Sequence, residues 1–452
     1  MLYIDDQFYD TDYFLEHTRA LEKHTIFLGN SSVRIAVCLE DYSLWLAICF
    51  FCKSSNISVM PIHPSTPLDA AKRLSKKAKC HYLFYGNMET VVPLETNAEA
   101  CNGGSNEGRS SHGIIQMSSG TTGDPKCIER SWRSIDIEIS SYVETLTIAK
   151  NMTPVIACPI THSYGLISGL LVALARGVTP RVITNINPKY LIKVLQANDN
   201  ALLYSSPTML QTIASLWPAE KKIHAAMTSG TVMSKLTFDT LAPKVTHLFQ
   251  QYGCSEVGCI AVNQHLTQTM DVGTPLPHLK VAAGTSVKDA GEITVSFTSY
   301  DADIHGPTQS IRTRDLGYLE SNEQHPPMLS FVSRLDDTII VAGLNVYPAE
   351  IEDIILTHPA IADVVIFKRD DAYAGQRVCL HYVTNANISS NELRQWCADQ
   401  MAPYQVPQQL EHVDRINRLA NGKINRRLIA QEYEALLTQQ KNAKHKSAQP
   451  QV

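Results

Sequence analysis

The densest chemistry in the sequence lies at Gln116-Met117-Ser118-Ser119-Gly120-Thr121-Thr122-Gly123-Asp124-Pro125-Lys126, directly after the strand-like Gly113–Ile115. Glycines let a backbone approach a polyphosphate closely, hydroxyls and N–H groups donate to it, and Lys126 adds a point charge. The GxxxxGK[ST] spacing of a Walker A loop is absent, which speaks against an ordinary P-loop ATPase or kinase. Taken alone, the segment is as readily a polar surface turn. Further clusters follow at Pro159-Ile160-Thr161-His162-Ser163-Tyr164-Gly165, Thr228-Ser229-Gly230-Thr231 and Tyr252-Gly253-Cys254-Ser255-Glu256. Three more are Arg312-Thr313-Arg314-Asp315-Leu316-Gly317-Tyr318, Ser333-Arg334-Leu335-Asp336-Asp337 and Asn421-Gly422-Lys423-Ile424-Asn425-Arg426-Arg427. Each has a plainer reading. His162 alone is a hydrogen-bonded histidine at a strand end, Glu256 a solvated carboxylate, and Lys423 a turn lysine among basic neighbours.

The elements that must carry these clusters alternate. Val33–Leu39 reads as a buried strand, Tyr42–Cys52 as a helix, Ile57–Ile62 as a strand, Leu68–Lys79 as a helix and His81–Tyr85 as a strand. That β-α-β-α-β order is the signature of a parallel sheet with helices on its faces. Glu95–Ser111 is polar and glycine-containing and reads as a loop. Alternation resumes through Val155–Pro159, Leu166–Arg176, Val178–Ile183 and Leu191–Gln196. Between Gly284 and Leu335 the texture changes to short strands, such as Glu292–Phe297 and Met328–Val332. A compact αβ unit then follows, with helices at Pro348–Thr357 and Ser389–Met401 and strands at Ala362–Lys368 and Arg377–Val383. Residues 433–452 read as a flexible tail, polar and basic without periodicity from Lys441 onward.

The 452 residues, at roughly 100–200 per domain, predict two to four domains. Hydrophobic residues are 44% and charged residues 18%, too apolar for a disordered chain. Net charge is −5, which leaves no basic footprint for nucleic acid or an anionic membrane. The longest apolar run, Leu44–Cys52, is about half of the roughly 20 residues a membrane span needs. No basic region precedes an apolar stretch at the N-terminus, where Asp5, Asp6, Asp10 and Asp12 stand, so the expected compartment is the cytoplasm. Cys49 and Cys52 have CxxC spacing but flank Phe50-Phe51 with no second pair, and core packing accounts for them.

Ser118–Lys126 resembles the phosphate loop of the adenylate-forming superfamily, which includes acyl- and aryl-CoA synthetases, adenylation domains and luciferases. The other clusters occur in the family's order, and Ala342-Gly343-Leu344-Asn345-Val346-Tyr347-Pro348-Ala349-Glu350-Ile351-Glu352 resembles its GxxVxPxEIE segment. The likeness spans about residue 30 to residue 429. It implies an α/β fold in which a large N-terminal lobe, 1–334, holds parallel-rich sheets, helices and a small β-barrel-like part. A small mobile α+β lobe, 335–432, would follow. By resemblance, Ser118, Ser119, Gly120, Thr121, Thr122, Gly123 and Lys126 hold ATP phosphates, with Thr121 close to the chemistry. Ser229 and Gly230 lie beside adenine and the acyl pocket, Tyr252 stacks on adenine next to Gly253 and Ser255, and Glu256 holds Mg²⁺. Asp315 accepts both ribose hydroxyls, as a carboxylate suits a vicinal diol. Arg334 contacts ribose or phosphate, Asp336 is a hinge, and Lys423 reaches the substrate carboxylate and the α-phosphate. Arg314 stands where Gly is usual, which leaves the role of Asp315 intact and bears on the loop's geometry.

The reaction so implied is ATP-dependent activation of a carboxylic acid to acyl-AMP, then transfer to the thiol of coenzyme A or of a carrier protein's phosphopantetheine arm. Such catalysis is positioning plus electrostatics, because two anions must be held together. Gly343 would let the narrow pantetheine chain pass. His162-Ser163-Tyr164 resembles aryl-acid-activating relatives and has no Asp for an amino acid's ammonium, so an aryl or small acyl acid is expected. A fatty or polyene acyl ligase is the alternative, and a non-catalytic nucleotide-binding homologue the alternative of another class.

Overall fold

The computed structural model describes residues 1–28, 33–94, 112–118, 126–230, 233–298, 310–322, 325–341, 344–371, 375–419 and 423–447. Among these, three sheets carry the chain. The first has six strands in the order Val91–Pro93, Tyr82–Gly86, Arg34–Leu39, Ser58–Pro61, Gly113–Ser118, Lys126–Ser131. Its inner neighbours run parallel, with the helices Tyr42–Ser54 and Leu68–Lys77 as crossovers. Arg34–Leu39 is apolar after its first residue and buried along that length, as a strand covered on both faces must be. Tyr42–Ser54 starts where it does because Asp41 Oδ1 accepts from the N–H groups of Ser43 and Leu44. At the edge, Gly113–Ser118 pairs antiparallel with Lys126–Ser131, and Ser118 is the register partner of Lys126. The expected phosphate loop therefore leaves from the end of a hairpin. Its residues Ser119, Gly120, Thr121, Thr122 and Gly123 lie outside the described residues, as do the expected loop 95–111, Thr231, Gly343 and Gly422.

The second sheet has thirteen strands. Val245–Cys254, Ile223–Thr228, Ala201–Ser205, Thr153–Ile156, Arg181–Val182 and Leu2–Ile4 run parallel through its middle. From Gly258–Asn263 onward it is antiparallel, and the strands expected as a barrel-like part continue the same sheet through Asp271–Pro275. The hairpin Leu2–Ile4 with Gln7–Tyr9 was not legible beforehand. Its acidic residues do local work: Asp5, at φ +48°, turns the chain and accepts from the Thr184 N–H at 3.0 Å. Asp10 caps the helix Thr11–Glu22 by accepting from Tyr13 N–H.

Two expectations are corrected. The run Leu166–Arg176 is not one α-helix; it opens as a π-helix, Tyr164–Leu171, and only Val172–Ala175 is α-helical. A Cβ on Gly165 would lie 2.5 Å from the Pro159 carbonyl oxygen, so glycine lets this wide helix press on the loop before it. The stretch 433–452 is helical as far as Ser447, in the helix Arg426–Ser447. Residues 426–447 contain no Gly or Pro and many strong helix formers, so propensity favours the helix along that length.

The third sheet is small, in the order Leu344–Val346, Ile339–Val341, Gly375–Thr384, Ile361–Asp371, with Gln409–His412 parallel to Gly375–Thr384. Ile339, Ile351, Val364, Leu380 and Leu393 form its own core. Ser389 and Glu392 close a capping box on the helix Ser390–Gln400. The large sheet ends with His325–Arg334 and this unit begins at Ile339, so Leu335–Thr338 join the two.

Candidate active site

A cleft of about 1700 Å³ opens between the large sheets and the small unit. Strand ends and turns supply its polar lining. Gly230, Tyr252, Gly253, Asp315, Arg334, Asp336 and Lys423 all line it, though they come from separate sequence motifs. At its centre the Tyr252 hydroxyl donates to Asp315 Oδ2 at 2.6 Å, and Arg334 Nε stands 3.0 Å from Oδ1. Adjacent antiparallel strands bring that pair together, because Asp315 and Arg334 are register partners. Asp315 is buried, and burial raises its pKa although Arg334, Tyr252 and Lys423 all pull it down. Its Oδ1 is in an ion pair but accepts no aligned hydrogen bond, so the carboxylate keeps an open acceptor for a ligand hydroxyl.

Lys423 keeps exposed surface within the cleft, yet the surrounding protein lowers its ammonium pKa. Arg334 adds to that fall and Asp315 opposes it. The Lys423 charge also reaches His162. His162 keeps exposed surface, yet desolvation by the surrounding protein, then His63 and Lys423, lower its pKa. His162 itself is set by its loop: its N–H donates to the Pro159 carbonyl, and its carbonyl accepts from Leu166 N–H. The next residues are pinned as well. Ser163 Oγ donates to Gln116 Oε1, and the Tyr164 hydroxyl donates to the Met227 carbonyl at 2.6 Å.

Ser255 and Glu256 occupy the turn after Gly253 and do not line the cleft. Ser229 likewise precedes the cleft residue Gly230, which has φ +91°. Ser118 and Lys126 end their strands at the mouth of the phosphate loop. Among the described residues no three His, Cys, Asp or Glu side chains stand together as a metal cage. Glu256 is a solvent-facing carboxylate on its turn, which fits Mg²⁺, a cation that keeps several waters and binds through few protein oxygens beside phosphate.

Several contributors escaped the sequence reading. Arg426 donates to both Glu352 carboxylate oxygens, at 2.8 and 2.6 Å, and to Asp337 at 3.4 Å, all partly buried. This anchor lies three positions after Lys423 and holds the end of its loop. Gln116 was visible only as a member of the phosphate-loop stretch, with no signal for its contact to Ser163.

The residues that converge here match a known family along the chain. The profile of the AMP-binding enzymes covers residues 28–296, and that of the AMP-binding enzyme C-terminal domain covers 350–423. This chain belongs to the AMP-binding enzyme family. Among curated relatives of this AMP-binding enzyme, a 3,4-dihydroxybenzoate–[aryl-carrier protein] ligase of Bacillus anthracis is 32% identical over 429 residues, covering 95% of this chain and 98% of the relative. A 2-succinylbenzoate–CoA ligase of Staphylococcus aureus is 25% identical, covering 75% and 70%. In fold, it is similar to o-succinylbenzoate CoA synthetase of Bacillus subtilis in complex with its acyl-adenylate intermediate. That match has a TM-score of 0.79 at 20% identity and covers 95% of this chain and 94% of the other. The same synthetase with ATP and magnesium ion matches with a TM-score of 0.75 at 21% identity, covering 92% and 93%.

Proposed function

We propose that this enzyme activates an aryl carboxylic acid with ATP and passes the acyl group to the phosphopantetheine thiol of a carrier protein. The observation that carries the reading is the convergence of Tyr252, Asp315, Arg334 and Lys423 in one cleft. The 32% identity to an aryl-carrier protein ligase, over nearly the full length of both chains, favours the aryl acid and the carrier.

In the first half-reaction a carboxylate oxygen attacks the α-phosphorus, and the bond to pyrophosphate breaks. Lys423 draws the two anions together. Asp315 accepts from the ribose, with Arg334 and Tyr252 fixing its carboxylate. Tyr252, Gly253, Ser229 and Gly230 frame the adenine, and Ser118–Gly123 with Lys126 hold the phosphates. His162, its pKa lowered by its surroundings, would face the substrate carboxylate. Mg²⁺, held at Glu256, would neutralise charge on the polyphosphate. In the second half-reaction the thiol sulfur attacks the acyl carbon, its proton passes to solvent, and AMP leaves with the oxygen. The small lobe, 335–432, turns about Asp336 between the halves, withdrawing Lys423 and presenting the Gly343 loop to the pantetheine.

Pyrophosphate release tests the reading, with ATP and Mg²⁺ and a panel of 3,4-dihydroxybenzoate, benzoate, a medium-chain fatty acid and an amino acid. Release with the aryl acids, followed by thioester on a phosphopantetheinylated carrier protein in preference to coenzyme A, is expected. ADP formation that ignores the added acid would overturn it.

A further inference from the structure

Beneath the turn that carries Glu256 lies an ion pair unrelated to the motifs. Arg130 Nη2 donates to Glu138 Oε2, and both side chains are almost fully buried, 4% and 2% exposed. Arg130 is on Lys126–Ser131, the strand that leaves the phosphate loop, and Glu138 is on the helix Trp132–Thr145. The other Glu138 oxygen accepts from the Cys259 N–H at 2.8 Å. Cys259 follows Gly258, where the turn after Tyr252-Gly253 re-enters its hairpin. Gly258 has φ +93°, and a Cβ there would meet Arg130 Nη1 at 2.3 Å and Glu138 Oε2 at 2.5 Å. The pair is therefore wedged directly under the Glu256 turn.

Burying two charges is expensive, and apolar replacements of similar volume often leave a protein equally or more stable. Stability is a weak reason for such a pair, whereas geometry is a strong one. Its two members tie together the hairpin that bears the phosphate loop and the hairpin that bears Glu256.

We propose that the buried Arg130–Glu138 pair is a positioning device that sets the Glu256 turn against the strand Lys126–Ser131, and so sets the metal dependence of nucleotide binding. The inference rests on the proposed role of Glu256. Neither residue touches the nucleotide; both act through the backbone at Gly258 and Cys259.

The test is the double variant Arg130→Met/Glu138→Leu in the full chain, which removes both charges together and, with Glu138, the acceptor of the Cys259 N–H. ATP binding is measured by calorimetry with and without Mg²⁺, alongside the thermal midpoint. The expected result is an unchanged or higher midpoint, unchanged metal-free ATP affinity and about 10-fold weaker Mg·ATP binding, the size typical of losing an outer-shell partner. A stable double variant with wild-type Mg·ATP affinity overturns the proposal. Arg130→Lys is the second variant, keeping the charge while shortening its reach. A higher Mg²⁺ half-saturation in folded Arg130→Lys supports positioning, and an unchanged one overturns it. Wild-type protein whose ATP binding ignores Mg²⁺ would instead remove the role of Glu256, which separates the two failures.

Discussion

At the scale of single residues, Arg314 is the most informative departure. It adopts φ +61°, the left-handed region in which a side chain is strained, at the position where the resembled motif has Gly. The substitution is thereby explained as tolerated strain, and the guanidinium lies 3.7 Å from Asp336 in a half-exposed ion pair. Such exposed pairs contribute about 0–1 kcal/mol, whereas left-handed strain costs roughly 1–2 kcal/mol. Arg314→Gly is therefore expected to stabilise by up to about 1 kcal/mol, and Arg314→Ala, which keeps the strain and loses the pair, to destabilise. Chemical denaturation of both variants checks the ordering; a more stable Ala variant would refute it. That Asp315, Arg334 and Lys423 share one cleft was legible in the sequence because motif order names them together. The Tyr252–Asp315 hydrogen bond was not, since the residues are far apart in the chain and meet only through strand pairing.

Among elements, the parallel strands and their crossover helices were legible because apolar runs and helical runs alternate with clear breaks. The π-helix at Tyr164–Leu171 was not, since its composition is that of any buried helix and only packing against the Pro159 loop widens it. The connection between Asp271–Pro275 and Leu279–Ala282 hides a titrating group that the sequence did not mark. His278 is buried there, and burial with the nearby Arg130 charge lowers its pKa to about 4. In the unfolded chain the imidazole titrates near 6.5. As pH falls below that value the unfolded state takes up a proton that the folded state refuses until about 4, so folding stability declines with falling pH. Between pH 6.5 and 5, above most carboxylate titration, the His278 share of that loss is roughly 2 kcal/mol. Denaturation of His278→Gln over this window should show a decline smaller by about that amount; an identical pH slope in the variant and the wild type would count against the assignment.

For the whole molecule, the cleft lies between the large sheets and the small sheet unit, joined by Leu335–Thr338, and the sequence changes texture near Leu335. What it withheld is how the Lys423 loop is fastened, because Arg426, Glu352 and Asp337 look like ordinary surface charges until folding pairs and partly buries them. Losing one preorganised electrostatic contact removes about 10²–10³ in rate, and Lys423→Ala should slow adenylate formation by about that factor. Conversion of a supplied acyl-adenylate to thioester should survive. Single-turnover assays of each half separate the steps, and equal loss in both would end the two-conformation mechanism. The Arg426 anchor has a mechanical consequence. By gripping Asp337, next to the proposed pivot Asp336, and Glu352 on the small lobe, just beyond Lys423, it would stiffen the arm of the proposed rotation from fulcrum to tip. In that proposed rotation a stiff arm would turn a small swing at its axis into a full displacement at the lysine, with no slack for the ammonium to linger behind.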